Sequence, residues 1–270
     1  MDTATIPRLS ANEVAAYRRD GYVIPRWRLS AAKLSVLRAA LDRLIADNPE
    51  IRPEQLISAH LKAGPERTRG SQAFLDFARD PALLDVIEQA IGPDIILWGC
   101  QVFCKPPKDG MEVPMHQDGR YWPIRPLATC TAWVALDDSR PENGCMRVVP
   151  GSHRNGHVYS HRKDTRPDLA LDLVLEDGQV KMEEARDLVL EAGQLSLHDV
   201  YMVHGSNPNR SAKRRAGVAF RYMPASSLFD RALYKPQTRA DGHVVDFTNR
   251  PIFLVRGKDR AGNDLAAGRA

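Results

Sequence analysis

The pattern of hydrophobic and polar positions changes character near residue 94. Before it the periodicity is helical. From Ser30 to Asp47, Leu34, Leu37, Leu41, Leu44 and Ile45 recur at helical spacing, with Lys33, Arg38, Asp42 and Arg43 on the other faces. "SANE", Ser10 to Glu13, is a capping box, in which the Ser oxygen and the Glu carboxylate satisfy orphan amides at a helix start. "DGYVIPRW" reads as a short strand. In "RDPALLDVIEQAIG", Asp80 is placed as N-cap, Pro81 at the first helical position and Gly92 as a stop.

From Asp94 the runs become short and β-rich. "DIILWGCQVFCK" is a strand and "PPKDG" the turn after it. Further strands are predicted at about 127–137, 145–149, 187–190, 194–198, 201–204 and 214–223, separated by "PENG", "PGSH", "EAGQ" and "GSNPN". Many short strands with turn chemistry between them predict a sandwich or barrel. Residues 155–186 are polar and read as a long loop or insertion, and the segment after 224 is irregular. With no linker in view, a single domain over 1–270 is expected: a mostly helical flank at 1–93, a β core at 94–224 and a C-terminal extension at 225–270. The helices should pack on the outside of the β unit.

Strand alternation refines this picture. In "TCTAWVALD", Cys130, Ala132, Val134 and Leu136 share a face suited to lie under helices. Thr129, Thr131, Trp133 and Asp137 share the other, which is polar enough to line a cavity. In "RRAGVAFRY", Val218, Phe220 and Tyr222 share one face. Arg215, Gly217, Ala219 and Arg221 share the opposite one, so two guanidiniums flank two small residues. A buried Arg needs an anion.

Composition narrows the class. The chain has 270 residues, 43% hydrophobic and 27% charged, as in ordinary globular proteins. The net charge of +4 suits an anionic substrate, but no basic run with interleaved aromatics points to nucleic acid. Four cysteines, Cys100, Cys104, Cys130 and Cys145, form no C-x-x-C pair, which argues against a zinc ribbon or a thioredoxin-type centre. The N-terminal sequence lacks a signal-like apolar core, and no apolar run approaches ~18 residues. A cytoplasmic protein with reduced thiols and no membrane partner is the expectation. The oligomeric state is not readable.

"MHQDGRYWP" carries the candidate chemistry. On a strand, His116 and Asp118 would share a face and could bind one ion. Of the eight histidines, His204 stands out because it ends the apolar stretch "VYMVH" before a turn. Two His and one carboxylate leave about three octahedral positions open, the facial arrangement of non-haem Fe(II) oxygenases. His198–Asp199 is a rival pair, but adjacent strand residues face opposite ways, so it reads as structural. H-x-D alone is a weak signal, since surface His and Asp are common.

Arg215 follows His204 by eleven residues, on the next predicted strand. Taken with "HQDGRYWPIRP", "KPPKDG", "NGCMRVVPGSH" and "HGSNPNRS", this resembles the phytanoyl-CoA dioxygenase family of Fe(II)/2-oxoglutarate oxygenases, over about residues 94–224. The resemblance implies a mainly β protein with flanking helices (α+β), built on a double-stranded β-helix (jelly roll, cupin-like). It implies Fe(II) on His116, Asp118 and His204, and 2-oxoglutarate and O2 as cosubstrates. The distal carboxylate of 2-oxoglutarate would meet Arg215, with Ser206 beside it. Trp133 and Gln101 match the family's cosubstrate site, and Lys62 matches loosely a lysine near it. Without the resemblance, Ser206 reads equally as a turn residue and Gln101 as a solvated strand residue.

Related halogenases replace the carboxylate ligand with a small residue. Asp118 is present, so the resemblance implies hydroxylation of a small-molecule substrate, with release of succinate and CO2. Other oxidative outcomes on the same cofactors (desaturation, cyclisation, epimerisation) remain open, as does a non-catalytic metal-binding jelly-roll sensor. Tyr121 and Trp122 either wall the pocket or pack the loop. Among Arg120, Arg221 and Arg256, at least one is expected to touch a polar or anionic substrate.

Overall fold

In this computed structural model, residues 8–64, 66–234, 236–238 and 244–268 are described; His243 lies outside them. Four helices form the N-terminal flank. Helix α1 (Ala11–Asp20) starts at the capping box, where the Ser10 amide donates to Glu13 at 2.6 Å, and stops at Gly21, whose φ of 81° is the left-handed conformation. Helix α2 (Ala31–Asp47) is capped by Ser30. Helix α4 (Pro81–Ile91) has Asp80 as its cap and Pro81 at its start, and it ends at Gly92. Between them lies α3 (Gln72–Ala78), capped by Ser71. Its seven residues are too few to display a helical repeat, so the sequence pattern passes over it.

Two antiparallel sheets form the body. The larger has seven strands, in the order Tyr22–Val23, Leu195–Asp199, Cys130–Ala135, Arg215–Pro224, Ile95–Lys105 and Phe253–Arg256, with Leu56–Ile57 also on Ile95–Lys105. The smaller runs Arg186–Leu188, Met146–Val148, His204–Ser206, Val113–His116. The outer face of the larger sheet is apolar. Cys130, Ala132, Val134, Leu136, Val218, Phe220 and Tyr222 pack there in one core with α1–α4. Its inner face meets the smaller sheet: Trp133, Ala135 and Ala219 pack on Met146, Val148 and Leu188. This is the double-stranded β-helix with helices against one side. The parity read from the sequence holds, except that Asp137 leaves the cavity face to pair with Arg214 at 2.8 Å.

Two local expectations are corrected, and one irregularity is new. The 201–204 run is not a strand ending at His204: Asp199 accepts from the amides of Tyr201 (2.8 Å, side chain) and Met202 (3.0 Å, backbone), which closes a turn, and the strand begins at His204. Residues 155–186 are not all loop: His161–Lys163 pairs with Leu173–Leu175, and Leu175 is buried against Val149 and Val203. Finally, Ile95–Lys105 carries a bulge opposite Arg221/Tyr222. Ile95 and Leu97 face the helices before it, and Cys100, Val102 and Cys104 after it. One extra residue thus reverses the strand's parity and leaves Trp98 and Gln101 on the inner side.

Candidate active site

His116 ends the Val113–His116 strand, and its cross-strand partner is His204, the first residue of the next strand. Their rings lie 4.3 Å apart between centroids. Gly205 permits this approach, since a Cβ there would lie 2.7 Å from Met115 Sδ and 2.8 Å from the Val113 carbonyl. Asp118 is not on the strand as expected; it opens a 3-10 turn, Asp118–Arg120. That turn swings its carboxylate back beside the imidazoles. One ligand atom from each of His116, Asp118 and His204 falls within a 4.8 Å cluster, the only such group of three among the described residues.

The donor chemistry suits a divalent metal. His116 Nδ1–H donates to the Pro114 carbonyl at 2.8 Å, and His204 Nδ1–H to the Met202 carbonyl at 3.0 Å. Each bond fixes the tautomer that leaves an Nε2 lone pair facing the cluster. Burial pulls His204 well below the ordinary imidazole range, and His116 beside it adds to this. Burial opposes ionisation of Asp118, but His116, His198 and the Arg221 charge together hold its carboxyl well below the usual range. The Nδ1 bonds orient both rings and the carboxylate stays ionised beside them, so the three donors converge before any ion arrives.

Gln117, between the two ligands, is fully buried and anchors their turn. Its amide donates to the carbonyls of His157 (2.9 Å) and Tyr201 (2.6 Å), and its oxygen accepts from the Tyr159 amide at 2.7 Å. Sequence reasoning missed it, and missed His198 as a site residue. His198 faces inward, with Nε2 3.8 Å from Asp118 Oδ2. Strand parity held the signal, because His198 pairs directly with Thr131 on the polar face.

Two cavities meet at His116, Asp118 and Arg221. The inner one is lined by Trp133, Thr131, Ser206 and Arg215. Arg215 is buried with no carboxylate in ion-pair range among the described residues; it donates to the Gly144 and Phe103 carbonyls (3.0 and 3.2 Å) and to Ser206 Oγ at 3.4 Å. Burial pushes its pKa down to about 10, the signature of a cation awaiting an anion. Trp133 lies over Gly217, where a Cβ would collide with the indole, and 5.4 Å from the Arg215 guanidinium.

The outer cavity has a volume of about 390 Å³ and is walled by Tyr121, Trp122, Tyr234, Phe247, Arg250 and the Lys163–Asp172 pair. Arg221 forms its inner end, 5.3 Å from the Trp122 ring and bonded to Gln101 Oε1 at 3.1 Å. Arg221 Nε and Gln101 Nε2 are buried donors without an acceptor among the described residues. Gln101 therefore lines the outer rather than the inner chamber. Three expected contacts are not brought here. Lys62 is exposed and Arg120 is exposed on its turn, and neither lines a cavity. Arg256 is committed to Asp85 and Glu88 of α4, each at 2.8 Å.

Comparison with known proteins agrees with this geometry. A family model described as phytanoyl-CoA dioxygenase (PhyH) matches residues 17–217. An ectoine dioxygenase of Bordetella parapertussis is 27% identical, covering 93% of this chain and 86% of the relative. A probable alpha-ketoglutarate-dependent hypophosphite dioxygenase of Stutzerimonas stutzeri is 31% identical, over 57% of this chain and 54% of its own. Among solved structures, the epimerase SnoN in complex with Fe3+, alpha ketoglutarate and nogalamycin RO has a TM-score of 0.63 at 26% identity, covering 81% of this chain and 84% of SnoN. The non-heme monooxygenase ThoJ shares the fold at a TM-score of 0.69 and 24% identity, over 91% of this chain and 84% of ThoJ.

Proposed function

Because the chain belongs to the phytanoyl-CoA dioxygenase family and is an Fe(II)/2-oxoglutarate-dependent oxygenase, we propose that it hydroxylates a small molecule bearing an anionic group. The observation that carries this reading is the pair of chambers joined at one three-residue ligand cluster.

His116, Asp118 and His204 hold the iron. Arg215 holds the distal carboxylate of 2-oxoglutarate, with Ser206 beside it and Trp133 as the flat wall. Its planar fork matches a carboxylate in a bidentate pair. When bound, iron and 2-oxoglutarate supply the oxidant, consuming O2 and releasing succinate and CO2. The remaining task of the chain is positioning. Arg221 Nε and Gln101 Nε2 offer two buried donors to an acceptor in the outer chamber, so a substrate carboxylate or similar anion is oriented there. Tyr121, Trp122, Tyr234 and Phe247 cover its apolar part and exclude water. A chamber of about 390 Å³ is at the small end of ligand sites and suits a metabolite better than an acyl-CoA.

The carboxylate at 118 favours hydroxylation over halogenation. The four cysteines are buried and unpaired, which fits a reducing compartment, and we place the protein in the cytoplasm. No helix among the described residues is long and apolar enough to cross a membrane. The test is anaerobic addition of Fe(II) and 2-oxoglutarate, watching for the weak visible charge-transfer band, then a screen of small anionic compounds for succinate release with product mass. Substrate-stimulated succinate and a product heavier by one oxygen support the reading. Mass loss of two hydrogens, an unchanged mass with inverted configuration, or a chlorinated product overturns hydroxylation. Metal binding without succinate overturns the enzyme.

A further inference from the structure

Three imidazoles, not two, surround Asp118. The Nε2 atoms of His116, His198 and His204 lie 3.6, 3.8 and 4.0 Å from its carboxylate oxygens. They differ in what holds the other side of the ring. His116 and His204 are each fixed by an Nδ1–H bond to the carbonyl two residues earlier. His198 has no such bond; both its nitrogens are buried and without a partner among the described residues. It sits on the continuous Leu195–Asp199 strand, paired with Thr131, and its ring centroid is 4.7 Å from that of His204.

A buried imidazole with no partner on either nitrogen is costly, because each group has given up its bonds to water without replacement. Asp118 Oδ2 is an acceptor 3.8 Å from its Nε2. A closure of about 0.6 Å would make the contact a hydrogen bond. Asp118 needs one oxygen for a metal and has a second to spare. On these grounds we infer that His198 is a positioning residue: its Nε2–H donates to the spare carboxylate oxygen of Asp118 and fixes that carboxylate as a one-oxygen ligand. It does not itself ligate, because nothing orients its lone pair toward the cluster. The inference rests on the ligand set proposed above.

The test uses the full chain with Co(II) and Zn(II). His198→Leu and His198→Phe remove the donor, while His198→Gln keeps an N–H. The expected result is Co(II) affinity 10- to 100-fold weaker in the Leu and Phe variants, with an altered visible Co(II) spectrum, and return to within about threefold of wild type in the Gln variant. Equal affinity in all variants overturns the inference, and so does a Gln variant as weak as Leu. Because an apolar variant can fail to fold, a second measurement uses the wild type alone. Nitrogen-15 histidine spectra of the Zn(II)-loaded protein should show metal-bound Nε2 at His116 and His204 and a protonated, metal-free Nε2 at His198. A metal-bound or unprotonated Nε2 at His198 overturns the inference. Absence of Zn(II) at His116 and His204 overturns the ligand set as well, which separates the two failures.

Discussion

Arg215 shows how one residue ties burial to ligand choice. Its charge is enclosed by carbonyl oxygens and one hydroxyl, with no carboxylate in range among the described residues. Removing one partner of a buried hydrogen-bonded charge pair costs about 2–5 kcal/mol. Arg215→Ala should therefore weaken 2-oxoglutarate binding at least about 30-fold, as read by titration of the charge-transfer band. Arg215→Lys should recover little, since an ammonium lacks the planar fork. His60 makes a separate prediction about acid stability. It is buried with neither nitrogen hydrogen-bonded among the described residues, and burial, with Arg250 and Arg79 nearby, lowers its pKa from 6.5 to about 3. The unfolded chain binds a proton that the fold refuses. Stability is then fully present above pH 6.5 and falls as pH drops toward 3, at up to about 1.4 kcal/mol per pH unit. His60→Leu should flatten that decline in urea unfolding at pH 4 compared with pH 7; an unchanged slope rules His60 out as its source.

At the scale of elements, the site depends on close approaches that only small or fully anchored residues allow. Gly217→Ala would drive a methyl into the Trp133 indole, an overpacking costing about 1–3 kcal/mol. The expected outcome is a lower urea midpoint together with a raised KM for 2-oxoglutarate, because Trp133 walls the inner chamber proposed to hold it. Gln117→Leu breaks three partly buried hydrogen bonds that tie the ligand turn to residues 157, 159 and 201. It should cost about 2 kcal/mol or more in thermal unfolding and also weaken Fe(II) binding. Much at this scale was legible in the sequence. Capping residues marked α1 and α4, leucine periodicity marked α2, and alternation separated the helix-covered face of Cys130–Ala135 from its cavity face. What escaped did so for local reasons. The seven-residue α3 shows no period, and the bulge near Trp98 inverts strand parity without a sequence mark. Asp118 reaches His116 through a turn rather than along a strand, so the two come together by a geometry that alternation does not describe. Lys62 was named by a loose resemblance and Arg120 and Arg256 by charge, and neither says which way a side chain is spent. Arg250 and Phe247, which wall the outer chamber, lie in an irregular segment with no periodicity to flag them.

In the whole molecule, the reading proposed for Arg215 and the ligand cluster predicts that cofactors stabilise the fold. Saturating Co(II) and 2-oxoglutarate, at about 100 times their Kd, should add about 2.7 kcal/mol each if they bind only the folded chain. For a chain of this size that is a rise in Tm of roughly 5–10 °C per ligand. A Tm unmoved by either would contradict a preformed site. The two chambers also differ in where their walls come from. The inner one is built from paired strands of both sheets. The outer one borrows Lys163, Asp172 and Leu173 from the short hairpin and Tyr234, Val245, Phe247 and Arg250 from the C-terminal stretch. Much of the outer wall thus comes from lengths of polypeptide that the inner chamber does not use. Exchanging residues 159–176 and 230–250 with those of a related enzyme should retarget the reaction while leaving the ferrous machinery intact, so new specificities can arise here without passing through an inactive ancestor.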